Sequence, residues 1–155
     1  MAEQSRTVKF PAVPVGNVLS DDGSFIAPGG GGGGPVARVI GAELKTVNSA
    51  TLLVGTYTDI PIPFDLDLDP ADEWLIRAPT TGSAVIDVLR ATVAAPGTFA
   101  SIAASAKPTL SSDNYNRGAM VGYPTTILAG ETIRFSVDSA SGFDRVQVFL
   151  PVSTA

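Results

Sequence analysis

From residue 36 onward, apolar side chains recur at every second position, and Gly, Pro, Asn and Asp break the pattern every few residues. A period of two puts alternate side chains on opposite faces of a strand, so the pattern predicts half-buried β-strands. Residues 36–44 make the first run. Thr51-Leu52-Leu53-Val54 and Thr58-Asp59-Ile60-Pro61-Ile62-Pro63-Phe64 follow. The two prolines make the latter an edge strand or a bulge, because proline cannot donate to a ladder. Trp74-Leu75-Ile76-Arg77 comes next, then a turn signal at Pro79-Thr80-Thr81-Gly82, then the most apolar strand at 84–92. Residues 98–106 are alanine-rich and suggest one helical or 3₁₀ turn. Lys107-Pro108-Thr109-Leu110 reads as extended chain, Asp113-Asn114-Tyr115-Asn116 as a loop, and 123–128 as a short strand. Two clear strands close the chain. Residues 132–138 turn Ile133, Phe135 and Val137 inward, and 143–150 do the same with Val146, Val148 and Leu150. Ser139-Ala140-Ser141-Gly142 between them predicts a hairpin turn. Seven to nine short strands at this spacing predict an all-β, jelly-roll-like antiparallel β-sandwich.

The first thirty-five residues have a different pattern. Phe10-Pro11-Ala12-Val13-Pro14-Val15-Gly16 is broken by prolines that push their predecessors toward extended geometry. Asp21-Asp22-Gly23 is a turn signal. Pro28 leads into six glycines, Gly29 to Gly34, closed by Pro35. A glycine run has maximal backbone entropy and nothing to bury, so it predicts a flexible joint. It lacks the GxxxxGK[ST] and GxGxxG spacings that cradle phosphate. The sequence therefore divides into an extended N-terminal arm at 1–28, a joint at 29–35 and a sandwich domain at 36–155. Val8, Phe10, Val13, Val15, Val18, Leu19, Phe25 and Ile26 give the arm apolar anchors for a partner surface, by strand addition or groove docking.

Composition narrows the chemistry. The 155 residues include no cysteine and no histidine. That removes disulfides, thiolate nucleophiles, the commonest general base and the commonest transition-metal ligand. A Ser-His-Asp triad cannot be built, so the chain is not expected to be an enzyme or to need a cofactor. Net charge is −5, against the clustered Lys and Arg that nucleic acid demands. The opening Met1-Ala2-Glu3-Gln4-Ser5-Arg6 lacks a signal-peptide apolar stretch. No run approaches the roughly 18 apolar residues of a membrane helix. The apolar fraction is 45% and the charged fraction 16%, where soluble domains average about 25% charged. Two readings follow: the domain hides surface against copies of itself or another protein, or its many alanines inflate the apolar count.

Three groups of residues invite a functional reading. Asp65, Asp67 and Asp69 stand at i, i+2 and i+4, on one face of a strand, and oxygen clusters can hold a divalent cation. Pro70 and Ile76 occupy the places where a calcium loop wants glycine and glutamate, so a solvated strand face with Leu66 and Leu68 packed inward is the stronger expectation. Asp87 lies in the most apolar strand, on the face of Val85 and Leu89. A carboxylate there needs a partner, expected to be an arginine or backbone N–H groups. Tyr115 and Tyr123, with Trp74, could contact a sugar or receptor. The plainer expectation is that Trp74 is core and the tyrosines cap strand ends.

Four stretches carry a resemblance. They are Ile62-Pro63-Phe64-Asp65, Gly82-Ser83-Ala84-Val85-Ile86-Asp87-Val88, Lys107-Pro108-Thr109-Leu110-Ser111, and residues 127–140, Ile127-Leu128-Ala129-Gly130-Glu131-Thr132-Ile133-Arg134-Phe135-Ser136-Val137-Asp138-Ser139-Ala140. In this order they resemble the jelly-roll domain of tailed-bacteriophage virion proteins of the head-decoration, head-fibre and tail-fibre type. The resemblance implies a structural protein of the virion surface, assembled in the host cytoplasm. It also implies a homotrimer docked on the major capsid protein or another virion protein. The other role it implies is a short tail-fibre or receptor-binding component that contacts host glycans.

Overall fold

The computed structural model describes residues 18–19, 25–26, 36–47 and 49–154. Among these residues every regular element is a β-strand. Two short strands, β1 (Val18–Leu19) and β2 (Phe25–Ile26), pair antiparallel with Val18 opposite Ile26. The arm, expected as plain extended chain, thus holds a small ladder that brackets the Asp21-Asp22-Gly23 signal. Of the expected anchors, Val8, Phe10, Val13 and Val15 lie outside the described residues, and Val18, Leu19, Phe25 and Ile26 form this ladder. The chain divides into two compact units, residues 1–33 and 34–155, at the end of the glycine run.

The larger unit holds nine antiparallel strands: β3 (Val36–Lys45), β4 (Tyr57–Pro61), β5 (Leu66–Asp67), β6 (Glu73–Ala91), β7 (Ala100–Ser101), β8 (Thr109–Ala119), β9 (Thr126–Ile127), β10 (Thr132–Ser141) and β11 (Arg145–Thr154). They form one hydrogen-bonded network that folds over itself, and β6 makes the fold. Its first part, Leu75 to Arg77, pairs with β11. Its second part, Ser83 to Ala91, pairs with β10. One layer therefore runs β4-β10-β6, with β7 and the start of β8 on the far edge of β6. The other runs β3-β11, then β6 with the rest of β8, or β5 with β9. The sandwich is closed along β6 and β8 and open on the opposite side, where the edge strands are β3 and β4.

The core is what the alternation predicts. Ile133, Phe135 and Val137 of β10 meet Val146, Val148 and Leu150 of β11, and all six are 0–1% exposed. Ile76, Ile86 and Val88 of β6 join them, with Leu44, Leu110, Met120 and Ile127. The proline-bearing segment 57–61 is an edge strand, as expected.

Five local expectations are corrected. Residues 51–54 form no strand: Leu53 N–H donates to Thr46 Oγ1 at 2.9 Å and Gly55 turns the chain at φ +82°. This local bonding replaces a ladder, while Leu52 still enters the core. Pro79-Thr80-Thr81-Gly82 is not a turn between two strands but the passage of one 19-residue strand between layers. The β11 pairing stops at Arg77, the β10 pairing starts at Ser83, and the β8 register shifts between them. A proline costs no ladder bond where no ladder runs. Residues 98–106 contain no helical turn; β7 pairs with β6, and Ile102 N–H donates to Val88 O at 2.8 Å. Asp113-Asn114-Tyr115-Asn116 is mid-strand in β8, where residues 111–117 are all exposed, so polar side chains cost nothing on either face. Finally, residues 139–142 are no hairpin turn. β10 and β11 both pair with β6 rather than with each other, and their connection crosses β6 from one layer to the other.

That crossing is tight. A Cβ at Gly82 would collide with the Phe143 ring and with Ser141 O. Gly142 sits at φ +93°, and a Cβ there would stand 3.1 Å from the Gly82 Cα. Thr80 Oγ1 donates to Gly142 O at 3.2 Å and ties the two chains together.

Candidate functional site

The acidic stretch does not converge. β5 is held between β11 and β9, with Asp67 opposite Ser153 and Leu66 opposite Ile127. Leu66 and Leu68 are each 3% exposed, so the apolar half of the alternation faces inward as expected. The carboxylates go separate ways. Asp65 Oδ1 accepts from Ala129 N–H at 2.8 Å, and Asp69 Oδ1 accepts from Ala71 N–H at 2.8 Å. Among the described residues no three acidic groups gather to hold a metal ion. The cation candidate Asp65, Asp67 and Asp69 is corrected to two backbone caps and one strand residue, because the chain bends at Pro70 just past β5.

The two tyrosines are not one site. Tyr115 lies on β8 opposite Arg77 and is 48% exposed. Tyr123 is 5% exposed, and its hydroxyl donates to Ala106 O at 3.3 Å. It is unavailable to a ligand, which corrects that assignment. Trp74 is core, as the plainer expectation had it, with its indole ring over the backbone of Gly118.

Asp87 finds partners that the sequence reading had not named. Lys107 Nζ stands 2.8 Å from Asp87 Oδ2 and 2.7 Å from Asp138 Oδ2, and Ser101 Oγ donates to Asp87 Oδ1 at 2.6 Å. The expected arginine is a lysine from the extended segment before β8. Asp138 reaches it because a bulge in β10, between Val137 and Ser139, leaves Asp138 without a ladder partner. Hydrogen bonds from Lys107 to Asp138 and Asp87 raise the Lys107 pKa. The ammonium is held charged, so it is a clamp between carboxylates rather than a base. Glu131, the other buried acid, accepts from Leu128 N–H at 2.9 Å and faces Arg90 at 3.7 Å. Both buried carboxylates are thus committed to structure.

Burial, and secondly the charge of Asp87, raise the pKa of Tyr123 well above its ordinary 10.0. A raised folded pKa gives stability that is complete below the unfolded value and is lost as pH climbs past it. Urea unfolding between pH 7 and pH 11 should therefore show a decline above about pH 10. Tyr123→Phe should lessen that decline while costing about 1 kcal/mol at neutral pH for the lost hydrogen bond. An equally steep alkaline decline in the variant would assign it to other groups.

The remaining features are surfaces. A groove of about 520 Å³ opens between the edge strands β3 and β4, lined by Ile40, Ile60, Pro61, Pro63 and Phe64 among others. On the β4-β10 face, the Arg134 guanidinium lies between the rings of Tyr57 (4.0 Å) and Phe99 (3.7 Å). Its Nε and Nη2 bond both oxygens of Asp59 at 2.6 and 2.7 Å. That fork lowers the Asp59 pKa.

The outer face of β3-β11-β6-β8 carries a further set of residues that the linear pattern did not single out. Val39 stands opposite Pro151; Gly41, Phe149, Leu75 and Arg117 form the next row; Glu43, Gln147, Arg77 and Tyr115 the one after. Val39 is 62% exposed, and Phe149, Leu75 and Pro151 are half-buried. The Phe149 ring lies over Gly41 and under the Arg77 guanidinium at 5.4 Å. Arg77 Nε donates to Gln147 Oε1 at 2.6 Å, and Gln147 Nε2 donates to Glu43 Oε2 at 3.1 Å. A signal for this surface was in the sequence, as apolar residues at the outward positions 39, 75, 149 and 151, but which positions face outward together needed the register. No protein-family model, curated protein or solved structure matches this chain.

Proposed function

We propose that this chain is a non-enzymatic structural protein of a tailed-bacteriophage particle, a capsid decoration or head-fibre protein. It docks through its N-terminal arm on the major capsid protein or another virion protein and displays its β-sandwich as a homotrimer on the virion surface. One observation carries the reading: the four resembling stretches, separated by fifteen to eighteen residues of other sequence, assemble into one contiguous body. Ile62 N–H donates to Glu131 O at 2.9 Å, and Gly130 N–H returns to Ile62 O at 2.7 Å. In β6, Ala84 is flanked by Leu110 of β8 on one side and Ala140 of β10 on the other. Asp87 and Asp138 share Lys107. These contacts support reading the stretches as parts of one module. The commitment of Asp87 and Glu131 to structural partners and the absence of His and Cys from the sequence support a structural role over a catalytic one.

Antibody raised against residues 36–155 and imaged on purified particles by electron microscopy tests the reading. Label on heads supports decoration. Label on tail tips would replace that role with the receptor-binding one, for which the exposed Tyr115 is the remaining candidate contact. Protein absent from particles altogether would remove the virion assignment.

A further inference from the structure

We propose that copies of this chain pack head to tail through the outer face of β3-β11-β6-β8, the basic end of one copy meeting the acidic end of the next. This rests on the self-association put forward above and names the surface that performs it.

The face is polarised along its strands. At one end Lys45 and Arg145 are direct cross-strand partners, with Arg77 on the neighbouring strand one residue pair along. Like charges opposite each other in a ladder destabilise it, so this pair is unfavourable in a lone subunit. At the other end Asp67 stands opposite Ser153, and Asp69 and Ser153 border one shallow depression. Arg38, the nearest cation on β3, takes the other side of that strand, stacked on Phe64 at 5.4 Å. The Lys45–Arg145 pair thus carries a repulsion that the acidic end of another copy would relieve.

Between the ends lies the apolar part. Val39, Pro151, Phe149 and Leu75 form a continuous patch, and Val39 projects beside a shallow hollow formed over Gly41 by Phe149 and Gln147. The neighbouring charges Glu43 and Arg77 are already linked through Gln147. From Arg145 to Ser153 the face is about 27 Å long, and four strands make it about 19 Å wide. That flat footprint of about 500 Å² is on the order of the ~800 Å² per partner of a stable interface once side-chain relief is added.

Light scattering on the full-length protein tests this, across concentration and salt. The wild type should give a multiple of 15.9 kDa. Lys45→Glu with Arg145→Glu, and separately Asp67→Lys with Asp69→Lys, should each shift it to the monomer with unchanged circular dichroism. Mixing the two variants should restore a species above monomer mass, because each supplies the charge that the other lacks. Variants that keep the wild-type mass, or a mixture that stays monomeric, would overturn the assignment of this face while leaving self-association standing. A wild type that is monomeric at every concentration would instead overturn self-association itself.

Discussion

A chain lacking residues 1–34 is expected to fold as well as the full-length protein and to lose its attachment to the particle. Its folding follows from the position of the core. The sandwich's buried core runs from Ile40 to Val152, and the nine-stranded network begins at Val36. The loss of attachment follows from the arm's composition. It carries eight sizeable apolar side chains between Val8 and Ile26, broken by proline and glycine. Burying each against a partner contributes about 1.5–3 kcal/mol, from which ordering costs are subtracted. On the homotrimer proposed above, three arms would multiply the effect, since the second and third would bind at high effective concentration. Particles lacking the protein, incubated with the truncated chain, should show no bound protein, against full occupancy with the intact chain. Normal occupancy by the truncated chain would place docking in the sandwich. A truncated chain that fails to fold would make the arm part of the fold, as a strand exchanged between subunits.

Gly82→Val is expected to be among the most damaging single substitutions in the sandwich. The β10–β11 connection crosses β6 at this residue, and a Cβ there meets Ser141 O and the Phe143 ring. The ring could shift, but the carbonyl belongs to a backbone fixed on both sides. Overpacking costs typically about 1–3 kcal/mol, and a rigid obstacle puts Gly82→Val at the top of that range. The melting temperature should fall by roughly 10 °C. Gly97→Ala is the control: nothing lies within 4 Å of its added Cβ, and it should be neutral or gain about 0.4–1 kcal/mol through the unfolded chain. Equal melting temperatures for the two variants would mean that the crossing is not tight.

The sequence determined the class of fold and the identity of most of the core. Alternation is local, so Phe135, Val146 and their neighbours could be assigned an inward face without any knowledge of what they pack against. It also determined what chemistry is missing, because composition does not depend on folding. Only the tertiary structure decided which strands are neighbours. Pro79-Thr80-Thr81-Gly82 has the composition of a turn, yet it became a change of layer within β6, and Ser139-Ala140-Ser141-Gly142 became a crossing. A turn signal says that the backbone departs from a straight ladder, and it carries no information on where the chain goes next. The same holds for sites. Asp65, Asp67 and Asp69 are periodic in sequence but separate in space, because capping bonds to Ala129 and Ala71 claimed two of them. Lys107 and Asp87, twenty residues apart, met because β6 and the segment before β8 lie side by side. Pairing between distant strands is set by the sum of many weak contacts across the sandwich, and that sum cannot be read from any one stretch of chain.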